Sequence, residues 1–190
     1  MRVFFLVATF ALFLLSHAAQ ADVVAPKALA VCVACHGESG ESVDASYPNL
    51  GGQYATYMAI ALKAYRSGER QNPLMNGVAA QLSDEDIAAL ANWYEAQPLH
   101  ISANGDPADV ETGRYLAGYC MGCHGMKGQP VAREFPVIAG QSAPYIAAQL
   151  ANYKSDARQH PLMKVIARRL SPEDMTALAA FFSQLDPSIH

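Results

Sequence analysis

Displaced by 88 residues, the 190-residue chain overlays on itself without a gap. Cys32 falls on Cys120, His36 on His124, Pro48 on Pro136, and Gly52-Gln53 on Gly140-Gln141. The register holds through Arg70-Gln71 and Arg158-Gln159, Pro73-Leu74-Met75 and Pro161-Leu162-Met163, and Leu82-Ser83 and Leu170-Ser171. From Cys32 to Gln97, 28 of 66 aligned pairs are identical, far above chance for one fixed register. A repeat this long is a duplicated domain rather than a solenoid unit. The turn signals Pro98, Asn104-Gly105 and Asp106-Pro107 put the boundary within Gln97–Glu111. The expected organisation is therefore a domain over 22–100 and a second over 101–190. Domains of about 80 residues have marginal apolar cores, so each needs additional bulk inside.

All four cysteines lie in two copies of one motif, Cys32-Val33-Ala34-Cys35-His36 and Cys120-Met121-Gly122-Cys123-His124. Cys-x-x-Cys-His is the attachment signature of c-type haem. On a helix the two thiols and the histidine sit at i, i+3 and i+4, on one face. The thiols can then add across two vinyl groups while the imidazole meets the iron. Disulfides are the competing reading for an exported chain. A bridge within either pair would close a very small loop and stabilise little. Disulfides also leave the repeated histidine without a role. The expectation is two haem c groups, one per domain, which would supply the missing bulk.

The N-terminus reads as a cleavable export signal over 1–21. Arg2 precedes the apolar run Val3–Leu15, and Ala19-Gln20-Ala21 ends it as a cleavage site. That run is shorter than the roughly 20 residues of a membrane span. The expected location is the periplasm, with peripheral membrane association left open. The formal charge of −4 argues against nucleic acid as a partner. Residues 22–100 carry nine acids and four bases, while 101–190 carry eight of each.

The pattern within each half is helical, with no strand signal. The motif should end a helix over Pro26–Cys35 and again over Val110–Cys123. Tyr54–Ser67 and Ala143–Ser155 are apolar-periodic. Ser83 and Ser171 read as N-caps followed by acids, with Pro172 at the first helical position. Gly37–Gly52 and Gly125–Gly140 read as loops, as do the Pro-Leu-Met segments.

A second axial ligand is expected from Met75 and Met163, the two positions that are methionine in both halves. Met/His ligation raises haem potential. His160, beside Met163, is a rival, but it aligns with Asn72. His100 and His190 have no counterparts, and His17 leaves with the signal. The carbonyls of Pro48 and Pro136, 12 residues past each histidine, are candidate acceptors for the other ring nitrogen. Arg70 and Arg158 are candidates for haem propionates, with solvated surface the alternative. Trp93-Tyr94 and the aligned Phe181-Phe182 read as core aromatics.

These features together resemble the cytochrome c4 family, exported di-haem cytochromes. The resemblance rests on the paired motifs followed by Gly37 and Gly125, the Gly-Gln pairs followed by Tyr57 and Tyr145, the methionine segments and the Leu-Ser-x-Glu-Asp helix starts. It implies an all-α fold of two tandem cytochrome c-like domains related by a pseudo-twofold axis, with haems near the interface. The implied role is electron transfer from a respiratory donor toward a terminal oxidase. The cytochrome subunit of a flavocytochrome c sulfide dehydrogenase is an alternative, and a di-haem peroxidase a more distant one. With His and Met on both irons, an electron carrier is expected rather than an enzyme.

The halves differ in charge after the methionines. Lys164, Arg168 and Arg169 replace Asn76, Ala80 and Gln81. A basic rim on the second domain could steer an acidic redox partner there.

Overall fold

The computed structural model describes residues 24–188, all helix, turn and loop. The export signal and His190 lie outside the described residues. Nine α-helices occur among them: α1 Ala30–His36, α2 Ala55–Ser67, α3 Pro73–Ala79, α4 Asp84–Glu95, α5 Val110–Leu116, α6 Gly118–His124, α7 Ala143–Lys154, α8 Pro161–Ala167 and α9 Pro172–Gln184.

Two differences from the sequence reading concern functional segments. The Pro-Leu-Met segments are short helices rather than loops. Asn72 and His160 cap them by accepting the backbone N–H of Met75 and Met163, and proline sits at each start. A seven-residue helix is too brief to show periodicity, so only its cap was available as a signal. The motif helix of the second half is also divided at Ala117, into α5 and α6. Gly113, Gly118 and Gly122 weaken this stretch. Only Gly113 is required by packing there: a Cβ would lie 2.0 Å from the Ala177 carbonyl oxygen of α9.

The expected caps on α4 and α9 are present. Ser83 accepts from the backbone N–H of Asp86, and Asp86 accepts in return; Ser171 and Asp174 repeat the exchange. Such a box contributes about 1 kcal/mol to a helix start.

Each half has its own core. Leu29, Met58, Ile87, Leu90 and Tyr94 centre the first. Ala117, Leu150, Met175, Leu178 and Phe182 centre the second. Tyr94 and Phe182 are almost wholly buried, in keeping with their reading as core aromatics.

The halves meet through reciprocal contacts. Gln53 bonds the backbone of Val137 and Gln141 bonds that of Asn49. Arg70 donates to the Tyr145 hydroxyl at 2.9 Å and Arg158 to that of Tyr57 at 3.0 Å. Each pair is the other displaced by 88 in both members, which is the signature of a twofold relation between the halves. Arg133 adds an ion pair to Glu95 and lies over the Tyr54 ring. The connecting segment is tied to both halves. Asn49 Nδ2 donates to Ser102 Oγ at 2.8 Å, and Asn104 Oδ1 accepts from Ala143 N–H at 2.8 Å.

Candidate functional site

Both motifs lie where a helix ends against a tight turn. Gly37 follows His36 with φ 71, and a Cβ there would stand 2.2 Å from the Glu41 carbonyl oxygen. Gly125 follows His124 with φ 81 and the same clearance from Gln129. A side chain at either position would collide, so the chain reverses only through glycine.

The reversal returns the backbone beneath each histidine. His36 Nδ1–H donates to the Pro48 carbonyl at 2.9 Å, and His124 Nδ1–H to that of Pro136 at 3.0 Å. With Nδ1 protonated, Nε2 carries the lone pair. Both rings are buried, 7% and 8% exposed, with Tyr47 and Phe135 at matching positions beside them. Burial pushes both imidazoles below the ordinary histidine value, opposed in part by the proline carbonyls. Each is therefore neutral at neutral pH, the form that binds a metal.

None of the four cysteines, all among the described residues, is joined in a disulfide. Burial raises Cys32, and burial with Cys123 nearby pushes Cys120 up to about 11. Met75 and Met163 are half-buried on the first turns of α3 and α8. His160 caps α8 through Nδ1.

Arg70 and Arg158 are not solvated surface. Arg70 is 9% exposed, stacks 4.4 Å over Tyr65 and donates to Gln149 as well as Tyr145. Arg158 is half-buried, lies 4.6 Å over Tyr153, and also donates to Gln149, at 2.9 Å. One side-chain carbonyl thus bridges two guanidinium groups from opposite halves. Neither arginine has an ion pair among the described residues. Burial would raise Tyr57, but Arg158 and Arg70 outweigh it and hold the phenol below its ordinary value.

The basic rim is smaller than the sequence indicates. Lys164 and Arg168 both reach Asp156, at 2.7 and 3.2 Å, while Arg169 is exposed.

The donor set fits an iron porphyrin in each half. A neutral imidazole has its Nε2 free for iron, two thiols precede it on the same helix, and a thioether is carried on a separate capped helix. The uncompensated arginine pair fits the carboxylates such a group carries.

Sequence reasoning did not assign Gln53, Gln141, Gln149 or Asp156. The glutamines of the Gly-Gln pairs could have been found: a buried polar identity kept in both halves of a duplication marks a repeated contact. Gln149 aligns with Ala61 and Asp156 with Gly68, so the repeat gave no signal for either.

The profile of the cytochrome c family matches twice, at residues 25–95 and 110–186. The chain is 37% identical to a thiosulfate dehydrogenase electron acceptor from Stutzerimonas stutzeri, over 84% of this chain and 81% of that protein. It is 31% identical to a cytochrome c4 from Pseudomonas aeruginosa, over 90% and 92% of the two. The crystal structure of reduced recombinant cytochrome c4 from Pseudomonas stutzeri superposes with a TM-score of 0.79 at 30% identity, covering 83% of this chain and 95% of that one.

Proposed function

Because the chain belongs to the cytochrome c family, as a two-domain member of the cytochrome c4 type, we propose that it carries electrons in the periplasm from a respiratory donor toward a terminal oxidase. It is a di-haem electron-transfer cytochrome and not an enzyme, with one haem c in each domain. The domains run over 22–100 and 101–190, after removal of a signal peptide over 1–21. No helix among the described residues is long and apolar enough to cross a membrane.

When bound, each haem supplies one-electron exchange at its iron. The protein's residues hold and tune it. Cys32 and Cys35 would tether one haem, Cys120 and Cys123 the other. His36 and Met75 would hold the first iron, His124 and Met163 the second. Pro48 and Pro136 orient the two imidazoles through their Nδ1–H. Arg70 and Arg158 offset propionate charge at the seam between domains.

The observation that carries this reading is the pair of buried, neutral imidazoles, each held by one proline carbonyl at the end of a Cys-x-x-Cys-His helix. A redox titration followed by optical spectroscopy would count the haems and report their ligands. Two one-electron steps with His/Met spectra are expected. Mass spectrometry of natively matured protein should show two thioether-linked haems, and an unmodified polypeptide would end the proposal.

The likeness to a thiosulfate dehydrogenase electron acceptor favours a sulfur-compound dehydrogenase as donor. Stopped-flow reduction by such an enzyme, compared with reduction by a quinol-oxidising complex, distinguishes the two sources.

A further inference from the structure

Each domain lends a glutamine to the other. Val137 N–H donates to Gln53 Oε1 at 3.0 Å, and Gln53 Nε2 donates back to the Val137 carbonyl at 2.9 Å. Gln141 grips Asn49 in the same way, at 2.8 and 3.0 Å. The positions gripped are specific. The N–H of Asn49 and the carbonyl of Pro48 belong to a single peptide group, and that carbonyl accepts His36 Nδ1–H. The N–H of Val137 and the carbonyl of Pro136 form the equivalent group beneath His124. A chain of two hydrogen bonds therefore runs from each histidine, through one peptide, to a glutamine of the opposite domain.

Asn49, Gln53, Val137 and Gln141 are each 3–8% exposed. Water does not screen the chain, and linked hydrogen bonds strengthen one another by about 10–30% per bond. A peptide that donates its N–H gains electron density on its oxygen. That oxygen then draws harder on the Nδ1 proton, and the imidazole becomes a more basic ligand. A more basic ligand favours the oxidised metal.

We propose that Gln141 tunes the haem bound at His36, and Gln53 the haem bound at His124, each as a positioning residue acting across the domain seam. The inference rests on the assignment of the two histidines as axial ligands.

The test uses the di-haem protein, with the two haems resolved by NMR during a redox titration. Gln141→Leu should shift the reduced-to-oxidised ratio of the His36 haem toward reduced by about two- to threefold at fixed ambient potential. The His124 haem should keep its parent ratio. Gln53→Leu should give the mirror result. In the reduced protein, the Nδ1–H resonance of the affected histidine should move as its hydrogen bond weakens. If Gln141→Leu does not fold, Gln141→Glu retains an acceptor for Asn49 N–H and makes it charged; it should move the His36 haem the opposite way, and further than the other. Equal shifts at both haems would reveal mere loosening of the seam and overturn the relay, as would a shift confined to the mutated domain. Loss of the ligand assignment is separately visible, because the parent His36 Nδ1–H would then show no haem ring-current shift.

Discussion

Asp156 occupies the left-handed backbone region, φ 65, at the register position where Gly68 stands in the first half with φ 80. Most side chains are strained there, aspartate less than others. The position gives its carboxylate to Lys164 and Arg168, whose counterparts Asn76 and Ala80 are uncharged. Where one half has a glycine turn, the other has an ionic clamp.

Replacing this residue should change docking more than stability. In Asp156→Gly, relief of backbone strain and the added freedom of the unfolded chain oppose each other, leaving stability close to that of the parent. Release of Lys164 and Arg168 should speed association with an acidic redox partner and steepen its salt dependence. The triple neutralisation of Lys164, Arg168 and Arg169 should do the reverse. Stopped-flow rates across ionic strength read both effects, and identical curves for all three proteins would remove the second domain as the docking face.

The same clamp has a defined pH response. Its hydrogen bond to Lys164 holds the Asp156 carboxyl below its ordinary value. A group depressed in this way contributes fully above its unfolded value and loses that contribution only as pH falls through the lowered one. The salt dependence of association should therefore be the same at about pH 5 as at neutrality. Steepening should begin only at more acidic values, as Asp156 takes up a proton.

Ligation by sulfur is open to a direct test. Met75→Ala should lower the potential of one haem and let it bind carbon monoxide or imidazole, while the other haem keeps its parent spectrum. Unchanged potentials at both would assign the sixth position elsewhere.

The cap residues separate His160 from that role. His160→Asn installs the cap of the first half, Asn72, and should preserve both the α8 start and the His/Met spectrum. His160→Ala should cost about 1 kcal/mol by denaturant unfolding, without a change of ligand. A new ligand-field spectrum in the asparagine variant would implicate the imidazole instead.

At the seam, Gln149 keeps two guanidinium groups on one acceptor. Gln149→Ala, which restores the residue of the first half, should destabilise by about 1–3 kcal/mol through the buried donors it strands. Tyr145→Phe should have a loss of similar size, and the double variant should fall short of the sum because both act on Arg70.

Much of the fold was readable because the chain states its pattern twice. Ser83 and Ser171 announced their helices by composition, and the carbonyls of the prolines 12 residues past each histidine lie within hydrogen-bond distance of the rings. The exposure of Arg70 was not readable: an arginine beside Gln71 and Asn72 looks solvated until a second domain covers it. The helical state of Met75 was hidden by the shortness of α3. The pairing of Lys164 with Asp156 joins residues eight apart, with a break in the helix between them, so no helical spacing rule reached it.

The exchanged glutamines obey the geometry of two identical molecules facing one another. A single ancestral sequence with one proline turn and one Gly-Gln step would have formed both contacts with its own copy. Joined in one chain, the two halves keep that partnership without each having to match itself. Gln149 opposite Ala61 and Asp156 opposite Gly68 are what such freedom leaves behind: a symmetric joint whose two sides have begun to specialise.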